Sequence, residues 1–569
     1  MKQSARTSPL ACLLPFLTSR RSTHRPRHRS LRRPEGGPPL RHISQTPIPG
    51  QSQLGTLTRG QTLPGGTPRT GMATMTRADT ADSLTTEQLI AAATPHRRVY
   101  IEAAPGSGKT TVAAQRFGVQ RFNGNDQRAV VAVSFTRSAT AELRDRVLRH
   151  WGRSVLDWPH RVVTLDTIVC ELLTHLLHTG HVRWPADHCE LTVVDHWRVL
   201  LPTRWSDWEP TVVLRTGQVV AQTVRRASKA NRPNADDVRT ALSEGYCTHQ
   251  DARHVFETAL DAPGVRDVVR TRLAQTARAL IVDEVFDANA LDLALVRLAA
   301  DAGLDVTVVG DPWQALYAFR GARPEEVPAL TQEARFVQRD LHTSFRWTSP
   351  RQALLAAELR AGLGQILPKG PAETADVLIA LQWKSLWEAG AHVLPLAYKS
   401  TTGNIQEAAC TLVLSEVTQR MFGEDATFHA DALITLGITH DAAQRLRPLL
   451  QSIVDDLEGT TDTAKVWSAL NAAVATETDR PLPKRPHATH IARLKNLSTR
   501  LRNSSRLVPG LTAHQAKGRE WDVVGVRLTD AECAVLRQGL RADSEDHRKL
   551  YVALTRARTR TVLVPANEL

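Results

Sequence analysis

Short apolar runs along the chain alternate with stretches whose apolar residues recur at helical spacing. Such alternation predicts parallel β-sheets covered by helices, because parallel strands are joined by crossover helices. The predicted strands of a first sheet are Val99–Ile101, Ala129–Val133, Val162–Leu165, Ala279–Val282 and Val306–Val309. The predicted helices among them are Ser83–Ala93, Thr111–Phe117, Ser138–His150 and Thr167–Leu177.

Two segments interrupt this alternation. Residues 178–270 are rich in tryptophan and in charge, and we expect them to form a mainly helical insertion. Residues 405–505 also have the spacing of helices and predict a second insertion. Its clearest helices are Ile405–Met421 and Asp441–Leu457, and the strands predicted on either side of it are Val393–Ala397 and Thr561–Val564.

Most of the net charge lies in the first 82 residues. The whole chain carries +14, and residues 1–82 hold thirteen Lys and Arg against three acidic residues, which leaves +4 for the other 487. A nucleic-acid partner must therefore be argued from motifs rather than from bulk charge. The tail is rich in Arg, Pro, Ser and Gly, and we expect it to be disordered. We favour translation from Met72 or Met75 over a secretion signal or an organelle address.

Neither the hydropathy nor the cysteines indicate a membrane or an extracellular location. No run of eighteen apolar residues occurs, so we expect no membrane span. Six cysteines are scattered without a Cys-x-x-Cys pair, which argues against a disulfide framework, a zinc ribbon or an iron–sulfur cluster. Both features are typical of a protein of the reducing cytoplasm.

A glycine-rich loop follows the first predicted strand. Ala103–Thr110 reads Ala-Ala-Pro-Gly-Ser-Gly-Lys-Thr, which departs from the strict phosphate-loop pattern by an alanine in the first position. Between a strand and a helix, Gly106 and Gly108 turn backbone N–H groups toward an anion at the helix N-terminus. Lys109 is expected to reach the β- and γ-phosphates, and the Thr110 hydroxyl to hold Mg²⁺. The loop therefore predicts a nucleoside triphosphate site.

Paired carboxylates follow a later buried strand. The apolar run Ala279–Val282 leads directly into Asp283 and Glu284. Asp283 is expected to hold the metal through its water shell, and Glu284 to take a proton from the attacking water. In the same sheet as the phosphate loop, this pair predicts hydrolysis of the nucleotide.

Further stretches carry a resemblance to a known family. Gly310–Ala322, which reads GDPWQALYAFRGA, resembles the third motif of UvrD/Rep-type superfamily 1 DNA helicases. Other stretches resemble the remaining motifs of that family in the right order, so that the resemblance spans residues 84–558. These stretches are Leu84–Gln88, Ser134–Ala139, Ser344–Arg346, Thr512–Asp522 and Tyr551–Ala557.

The resemblance implies an α/β fold of two RecA-like P-loop NTPase domains with ATP between them. Each domain is expected to have a parallel sheet and a mainly helical insertion, after the disordered tail at residues 1–82. The first domain is expected at 83–177 and 271–343 with its insertion at 178–270, and the second at 344–404 and 506–569 with a reduced accessory insertion at 405–505. No appended nuclease domain is expected.

The resemblance also implies roles at the ATP site. Gln88 is expected to read the adenine, Phe345 to lie over its face, and Glu520 to meet the ribose. Gln314 is expected to sense the γ-phosphate, and Arg346 and Arg556, from the second domain, to act as arginine fingers. The residues implied in catalysis are Lys109, Asp283, Glu284, Gln314, Arg346 and Arg556. Those implied in binding ATP and Mg²⁺ are Gln88, Gly106, Ser107, Gly108, Lys109, Thr110, Thr111, Phe345 and Glu520, with Thr110 and Asp283 at the metal.

On the DNA side, the resemblance implies that Phe135, Tyr317 and Phe319 stack on bases. Stacking needs no particular base, because every base has a π-face. Packing in the core is the alternative for these aromatics, above all for Tyr317. The residues implied in DNA binding are Phe135, Thr136, Tyr317, Phe319, Arg320, Thr512 and His514.

The family's second motif reads Asp-Glu-x-Gln-Asp, and the corresponding stretch here, Asp283–Asp287, departs from it at one position. The family has a glutamine where Phe286 stands, and phenylalanine cannot make the hydrogen bonds of that glutamine. The two carboxylates remain, so hydrolysis is still predicted. How tightly hydrolysis is coupled to DNA binding is left open by this change.

These features predict an ATP- and Mg²⁺-dependent helicase or translocase that moves 3′ to 5′ on single-stranded DNA and at single/double-strand junctions. Roles in DNA repair, recombination or phage defence fit such a motor. The alternative is a DNA-stimulated ATPase subunit that regulates a partner, such as a nuclease, without unwinding alone. A nucleotide switch that acts on protein is disfavoured, because the DNA-side motifs are intact.

Overall fold

The computed structural model describes residues 84–124, 126–197, 208–225, 235–399, 404–459, 462–478, 482–503 and 506–565. The tail at residues 1–82 lies outside these ranges, so its disorder stays a prediction. Among the described residues, no helix has both the length and the apolar character that a membrane crossing requires.

The strands of the described residues are β1 (Arg98–Ala103), β2 (Ala129–Ser134), β3 (Arg161–Thr164), β4 (Thr192–Val194), β5 (Trp208–Arg215), β6 (Gln218–Arg225), β7 (Tyr246–Thr248), β8 (Ala277–Val282), β9 (Asp305–Gly310), β10 (Val337–Leu341), β11 (Val377–Ala380), β12 (Val393–Pro395), β13 (Val508–Thr512), β14 (Trp521–Arg527) and β15 (Ala557–Leu563).

The α-helices are α1 (Thr86–Ala93), α2 (Lys109–Asn123), α3 (Arg137–Trp151), α4 (Leu165–His178), α5 (Ala235–Ser243), α6 (His249–Leu260), α7 (Val265–Thr276), α8 (Ala290–Asp301), α9 (Val327–Glu333), α10 (Pro350–Arg360), α11 (Trp383–Trp387), α12 (Ile405–Phe422), α13 (His429–Leu436), α14 (His440–Gly459), α15 (Thr463–Glu477), α16 (Ala488–Asn503), α17 (Ala513–Ala516), α18 (Asp530–Gln538) and α19 (Glu545–Leu554).

A six-stranded parallel sheet forms the first domain, in the order β10-β1-β9-β8-β2-β3. All five strands predicted for it are confirmed, whereas β10 was not predicted. β1 lies beside β9, where Ile101 pairs with Val309. Because these strands are parallel, the loops that follow β1, β8 and β9 emerge at one edge of the sheet, where α/β proteins bind ligands.

Two helices beside the phosphate loop begin where the sequence supplies a cap. α1 begins after Thr85, whose hydroxyl accepts from the Gln88 N–H while the Gln88 side chain accepts from the Thr85 N–H. This reciprocal arrangement is a capping box. α3 begins after Thr136, whose hydroxyl accepts from the Ala139 N–H. The caps fix where α1 and α3 start beside the phosphate loop.

The insertion at residues 178–270 is mixed rather than mainly helical in its described part. Helices α5 and α6 are accompanied by the parallel pair β4-β7 and the antiparallel hairpin β5-β6. The hairpin turns at Thr216 and Gly217, whose φ angles are +47° and +79°. Two positive φ angles are typical of the tight turn that matches the twist of paired strands. β-Branched residues on both sides of this turn were the signal that the prediction of helices overlooked.

A five-stranded parallel sheet forms the second domain, in the order β12-β13-β11-β14-β15. In chain order, β11 and β12 come first, the helices α12 to α16 follow them, and β13 to β15 complete the sheet. The strands predicted on either side of the second insertion are confirmed as β12 and β15. The prediction of an α/β fold with two parallel sheets is therefore confirmed.

The second insertion has a hydrophobic core of its own. α12 is buried along most of its length, and it packs against α13, α14 and α16. Leu412, Trp467 and Leu470 are among the residues at the centre of this core. The two helices predicted most clearly are confirmed as α12 and α14. The domain boundaries stated above stay predictions.

Candidate functional site

The phosphate loop lies between β1 and α2. Gly106 and Gly108 have φ angles of +74° and +83°, in the region that favours glycine. A Cβ atom on Gly106 would lie 2.5 Å from the Arg346 Cβ, and one on Gly108 would lie 2.6 Å from the Gln88 Nε2. Both glycines are therefore required by the backbone conformation and by close neighbours.

The loop brings the predicted phosphate, metal and base residues together. Lys109 Nζ lies 3.5 Å from Glu284 Oε1. The Thr110 hydroxyl donates a hydrogen bond to Asp283, which is 2% exposed. Glu284 has a φ of +61°, a conformation that costs free energy in a non-glycine residue and that clusters at functional sites. The three positions that nucleotide hydrolysis needs thus share one edge of the first sheet.

Burial and neighbouring charges set the protonation of the paired carboxylates. Burial, reinforced by the adjacent Glu284, raises the pKa of Asp283 to about 7. Burial also disfavours the charged form of Glu284, but Lys109 and Lys517 outweigh it and lower the pKa of Glu284 to about 2. Glu284 is therefore ionised, whereas for Asp283 the effects of burial and of Glu284 outweigh the nearby charge of Lys109.

The oxygen donors at this point fit Mg²⁺. The ion is usually held by one or two carboxylates together with substrate phosphates. The Thr110 hydroxyl and the buried Asp283 carboxylate provide such donors beside the loop. These two residues would hold the ion, which would offset the negative charge of the phosphates.

Arg346 and Arg556 reach the same cleft from the second domain. Arg346 Nε donates to Glu520 Oε1 at 2.8 Å, so Glu520, predicted at the ribose, also holds this arginine. Arg556 is fully buried, and its Nη2 donates to Gln314 Oε1 at 3.3 Å. Burial, and then the nearby Arg346, lower the pKa of Arg556 to about 9. Among the described residues, its Nη1 has no hydrogen-bond partner.

Lys517 enters the cleft as well, and it was not predicted. Its Nζ lies 2.5 Å from Asp287 Oδ2 and 3.6 Å from Glu284 Oε2. The same atom lies 5.0 Å from the centre of the Tyr317 ring. Lys517 and Asp287 stand inside the motif stretches, and this was the only sequence signal for them. Their pairing connects the two domains directly.

A cavity of about 790 Å³ separates the two domains at this point. Gln88, Thr111 and Phe345 are among the residues that line it, and the contact of Gln88 and Phe345 with a base stays a prediction. Gln88 Nε2 donates to the Ser107 carbonyl at 2.8 Å, and Phe345 is 57% exposed. Arg146 of α3 also lines the cavity and donates to the Thr111 hydroxyl at 2.7 Å. No sequence signal indicated Arg146.

Four of the predicted DNA-side residues form a cluster beside the cavity. The ring centroids of Tyr317 and Phe319 are 5.9 Å apart, and those of Phe319 and His514 are 5.3 Å apart. The Arg320 guanidinium lies 5.2 Å from the Tyr317 ring and 5.5 Å from the Phe319 ring. Phe319 is 65% exposed. We call Tyr317, Phe319, Arg320 and His514 the aromatic cluster.

The other three residues predicted to bind DNA lie outside this cluster. Phe135 lines the 790 Å³ cavity and packs partly against the first core. Thr136 caps α3. Thr512 is buried at the end of β13. The structure thus gives these three side chains structural contacts, and a contact with DNA stays a prediction for them.

Phe286 points into the first core rather than into the cleft. It is 3% exposed, and its ring centroid lies 6.3 Å from that of Tyr100. A Cβ atom on Gly310, the last residue of β9, would lie 2.7 Å from Phe286 Cδ2. The Phe286 ring therefore requires a glycine at position 310. The departure from the family glutamine therefore changes the core beneath the site. The next residue, Asp287, makes one of the contacts between the domains through Lys517.

Fold and site together define a two-domain P-loop NTPase, in which a phosphate loop and paired carboxylates of one domain face arginines of the other. Residues 86–320 match a family described as an AAA domain, and residues 430–568 match the UvrD-like helicase C-terminal domain. The chain belongs to the UvrD/Rep-type family of superfamily 1 helicases.

Several proteins of this family are similar to the chain over part of their length. DNA helicase II of Salmonella typhimurium is 28% identical over 271 residues, which are 43% of this chain and 36% of that protein. ATP-dependent DNA helicase Rep of Escherichia coli is 27% identical over 252 residues, 41% of this chain and 36% of that protein. ATP-dependent DNA helicase PcrA of Leuconostoc citreum is 23% identical over 264 residues, 43% of this chain and 35% of that protein. The chain thus matches about a third of the length of these relatives.

Proposed function

We propose that this protein hydrolyses ATP to move on single-stranded DNA, with a 3′-to-5′ bias. The observation that carries the proposal is a cavity with walls from two domains, Lys109 and Glu284 from the first and Arg346 and Arg556 from the second. Tyr317 of the aromatic cluster lines the same cavity. A nucleotide that draws the walls together therefore also moves the residues that would touch DNA.

ATP binding would close the cleft. Lys109 and the backbone N–H groups at the start of α2 bind the phosphates, and Thr110 and Asp283 hold the metal. Arg346 and Arg556 then gain phosphate oxygens as partners. Charge-assisted hydrogen bonds of this kind are among the stronger ones in proteins. They favour the state in which both domains contact one nucleotide.

Glu284 would act as the proton acceptor. Its carboxylate lies 3.5 Å from Lys109 Nζ and 3.6 Å from Lys517 Nζ. A phosphate bound by both lysines would share their charge and leave the carboxylate available to the attacking water. Arg346 and Arg556 offset the charge that develops on the phosphoryl oxygens. Departure of the γ-phosphate removes these attractions, and the cleft reopens.

The aromatic cluster would convert opening and closing into movement. Bases that stack on Phe319 need no particular sequence. The cluster includes side chains of both domains, since Tyr317 and Phe319 belong to the first and His514 to the second. Lys517 contacts Tyr317 and also pairs with Asp287 beside the nucleotide cavity. Closure therefore shifts one base-binding element against another.

ATPase and strand-displacement assays test the proposal. Hydrolysis should rise strongly when single-stranded DNA is added, and displacement should be greater from 3′-tailed than from 5′-tailed duplexes. Hydrolysis that does not respond to DNA would contradict the motor. A preference for 5′ tails would contradict the polarity alone.

The small second insertion favours a second candidate function. Its described part consists of α12 to α16, whereas processive unwinding needs surfaces that hold and split a duplex. We therefore expect the isolated chain to displace short strands only. The competing function is a DNA-stimulated ATPase subunit that serves a partner such as a nuclease. DNA-stimulated hydrolysis without any displacement would favour this subunit, and robust unwinding of long duplexes would exclude it.

A further inference from the structure

Asp311 is a fully buried carboxylate outside the nucleotide cavity. It follows β9 directly. Its Oδ1 accepts from the Trp313 N–H at 3.1 Å, and its Oδ2 accepts from Gln314 Nε2 at 2.7 Å. A buried carboxylate is tolerated when hydrogen bonds and an opposite charge compensate for the loss of water. The two hydrogen bonds to Asp311 come from residues of its own domain, whereas the compensating positive charge comes from the second domain.

That charge is Arg360, the last residue of α10 in the second domain. Its Nη1 donates to Asp311 Oδ1 at 2.9 Å, and its Nη2 donates to Glu102 Oε1 at 2.9 Å. Both carboxylates belong to the first domain, so one guanidinium bridges the domains. Arg360 lines a separate cavity of about 180 Å³ rather than the nucleotide cavity. The bridge therefore lies beside the ATP site.

The same carboxylate sets the orientation of the Gln314 amide. An ionised carboxylate only accepts hydrogen bonds, so the amide nitrogen of Gln314 has to face Asp311. The amide oxygen then faces Arg556, whose Nη2 is 3.3 Å away. Gln314 is buried and lines the nucleotide cavity. Arg360, Asp311, Gln314 and Arg556 thus form a continuous row that begins and ends in the second domain.

We propose that Arg360 is a positioning residue for ATP hydrolysis, which neutralises Asp311 when the domains meet and so holds the Gln314 amide in the orientation that Arg556 requires. This inference rests on the proposed function. Arg360 does not line the nucleotide cavity, so its loss should lower the rate of hydrolysis rather than the affinity for ATP. A purely structural ion pair would lower the melting temperature and leave the rate of the folded protein unchanged.

Three variants of α10 test this role. Arg360→Gln removes the charge, and Arg360→Lys keeps it but cannot span both carboxylates. Arg351→Gln, an exposed position of the same helix, is the matched control. With Mg²⁺ and single-stranded DNA, Arg360→Gln should lower kcat about 10- to 100-fold, the range expected when a charged partner that orients a catalytic group is lost. The Kd of a fluorescent ATP analogue should not change, and Arg360→Lys should have an intermediate kcat.

A double-mutant cycle tests the route. If Arg360 acts through Asp311, the double variant Arg360→Gln/Asp311→Asn should be no slower than the slower single variant. Effects on kcat that multiply would mean that the two residues act independently. That result would overturn the inference.

The remaining outcomes are equally decisive. A parental kcat in both Arg360 variants, or a loss of kcat matched by an equal loss of ATP affinity, would overturn the inference. Where Arg360→Gln fails to fold in a thermal melt, Arg360→Lys decides by the same criteria. A parent protein that does not hydrolyse ATP would overturn the proposed function and this inference with it. An active parent whose Arg360 variants behave like Arg351→Gln would overturn the inference alone.

Discussion

Replacing Phe286 by glutamine tests whether this position connects the nucleotide site to DNA. The side chain is 3% exposed and packs edge-on to the Tyr100 ring at 6.3 Å, with Gly310 opposite. A glutamine at this position would bury an amide and remove the aromatic contact. We therefore expect Phe286→Gln to destabilise the first domain and to leave the stimulation of ATP hydrolysis by DNA unchanged.

Three contributions set the size of the destabilisation. Truncating a buried phenylalanine to alanine costs about 3–5 kcal/mol, part of which the stem of glutamine restores. Loss of the aromatic pair costs about 0.5–1.5 kcal/mol beyond the buried area. An amide without partners adds about 1–3 kcal/mol. The free energy of unfolding should fall by about 4–8 kcal/mol, which lowers the melting temperature of a domain of this size by roughly 10–20 °C.

Calorimetry of the first thermal transition gives the measurement, and Phe286→Leu is the matched control. Leucine keeps the position apolar and should cost about 1 kcal/mol. DNA-stimulated ATPase activity is then compared below the melting temperatures of both variants. A Phe286→Gln protein of parental stability with stronger DNA stimulation would refute the reasoning, because its side chain would then have to face the cleft.

Four further predictions concern the site itself. Lys109→Ala should abolish turnover by weakening ATP binding, whereas Glu284→Gln should leave ATP bound and unhydrolysed, and equilibrium binding of a labelled nucleotide separates the two. Arg556→Ala should lower kcat by on the order of 10³-fold or more, as loss of an arginine finger does, and a parental rate would refute that role. Phe319→Ala should weaken DNA binding by about 1–3 kcal/mol, the contribution of one stacked base, while a nucleotide titration shows unchanged ATP affinity. Chelating Mg²⁺ should stop hydrolysis until the ion is restored, and activity without any divalent cation would contradict the metal site.

Features that depend on short stretches of chain could be predicted from the sequence. The strands β1, β2, β8 and β9 lie inside a parallel sheet, so each contains a short run of mostly apolar residues. The phosphate loop could be located because Gly106 and Gly108 adopt positive φ angles, which restricts the residue type at both positions. The carboxylates after β8 could be placed beside this loop, because the carboxyl ends of parallel strands lie at one edge of a sheet.

Features that depend on how the two sheets meet could not be predicted. The partners Lys517 and Asp287 are 230 positions apart in the chain, and Arg360 and Asp311 are 49 apart. Hydrophobic periodicity describes which face of an element is buried and not which distant side chain it meets.

The hairpin β5-β6 was missed for a different reason. Its turn at Thr216 had a local signal, but the surrounding tryptophans and charges suggested helices.

The two arginines of the second domain, predicted with one role, have different environments. Arg346 already donates two hydrogen bonds, from Nε to Glu520 and from Nη1 to the Thr555 carbonyl. Arg556 is fully buried, yet among the described residues its Nη1 has no acceptor. A buried donor without a partner costs about 1–3 kcal/mol, and more when it is charged. A phosphate oxygen beside Nη1 would remove that cost, so we expect Arg556 to favour nucleotide-bound closure, whereas Arg346 is already held in place by its own domain.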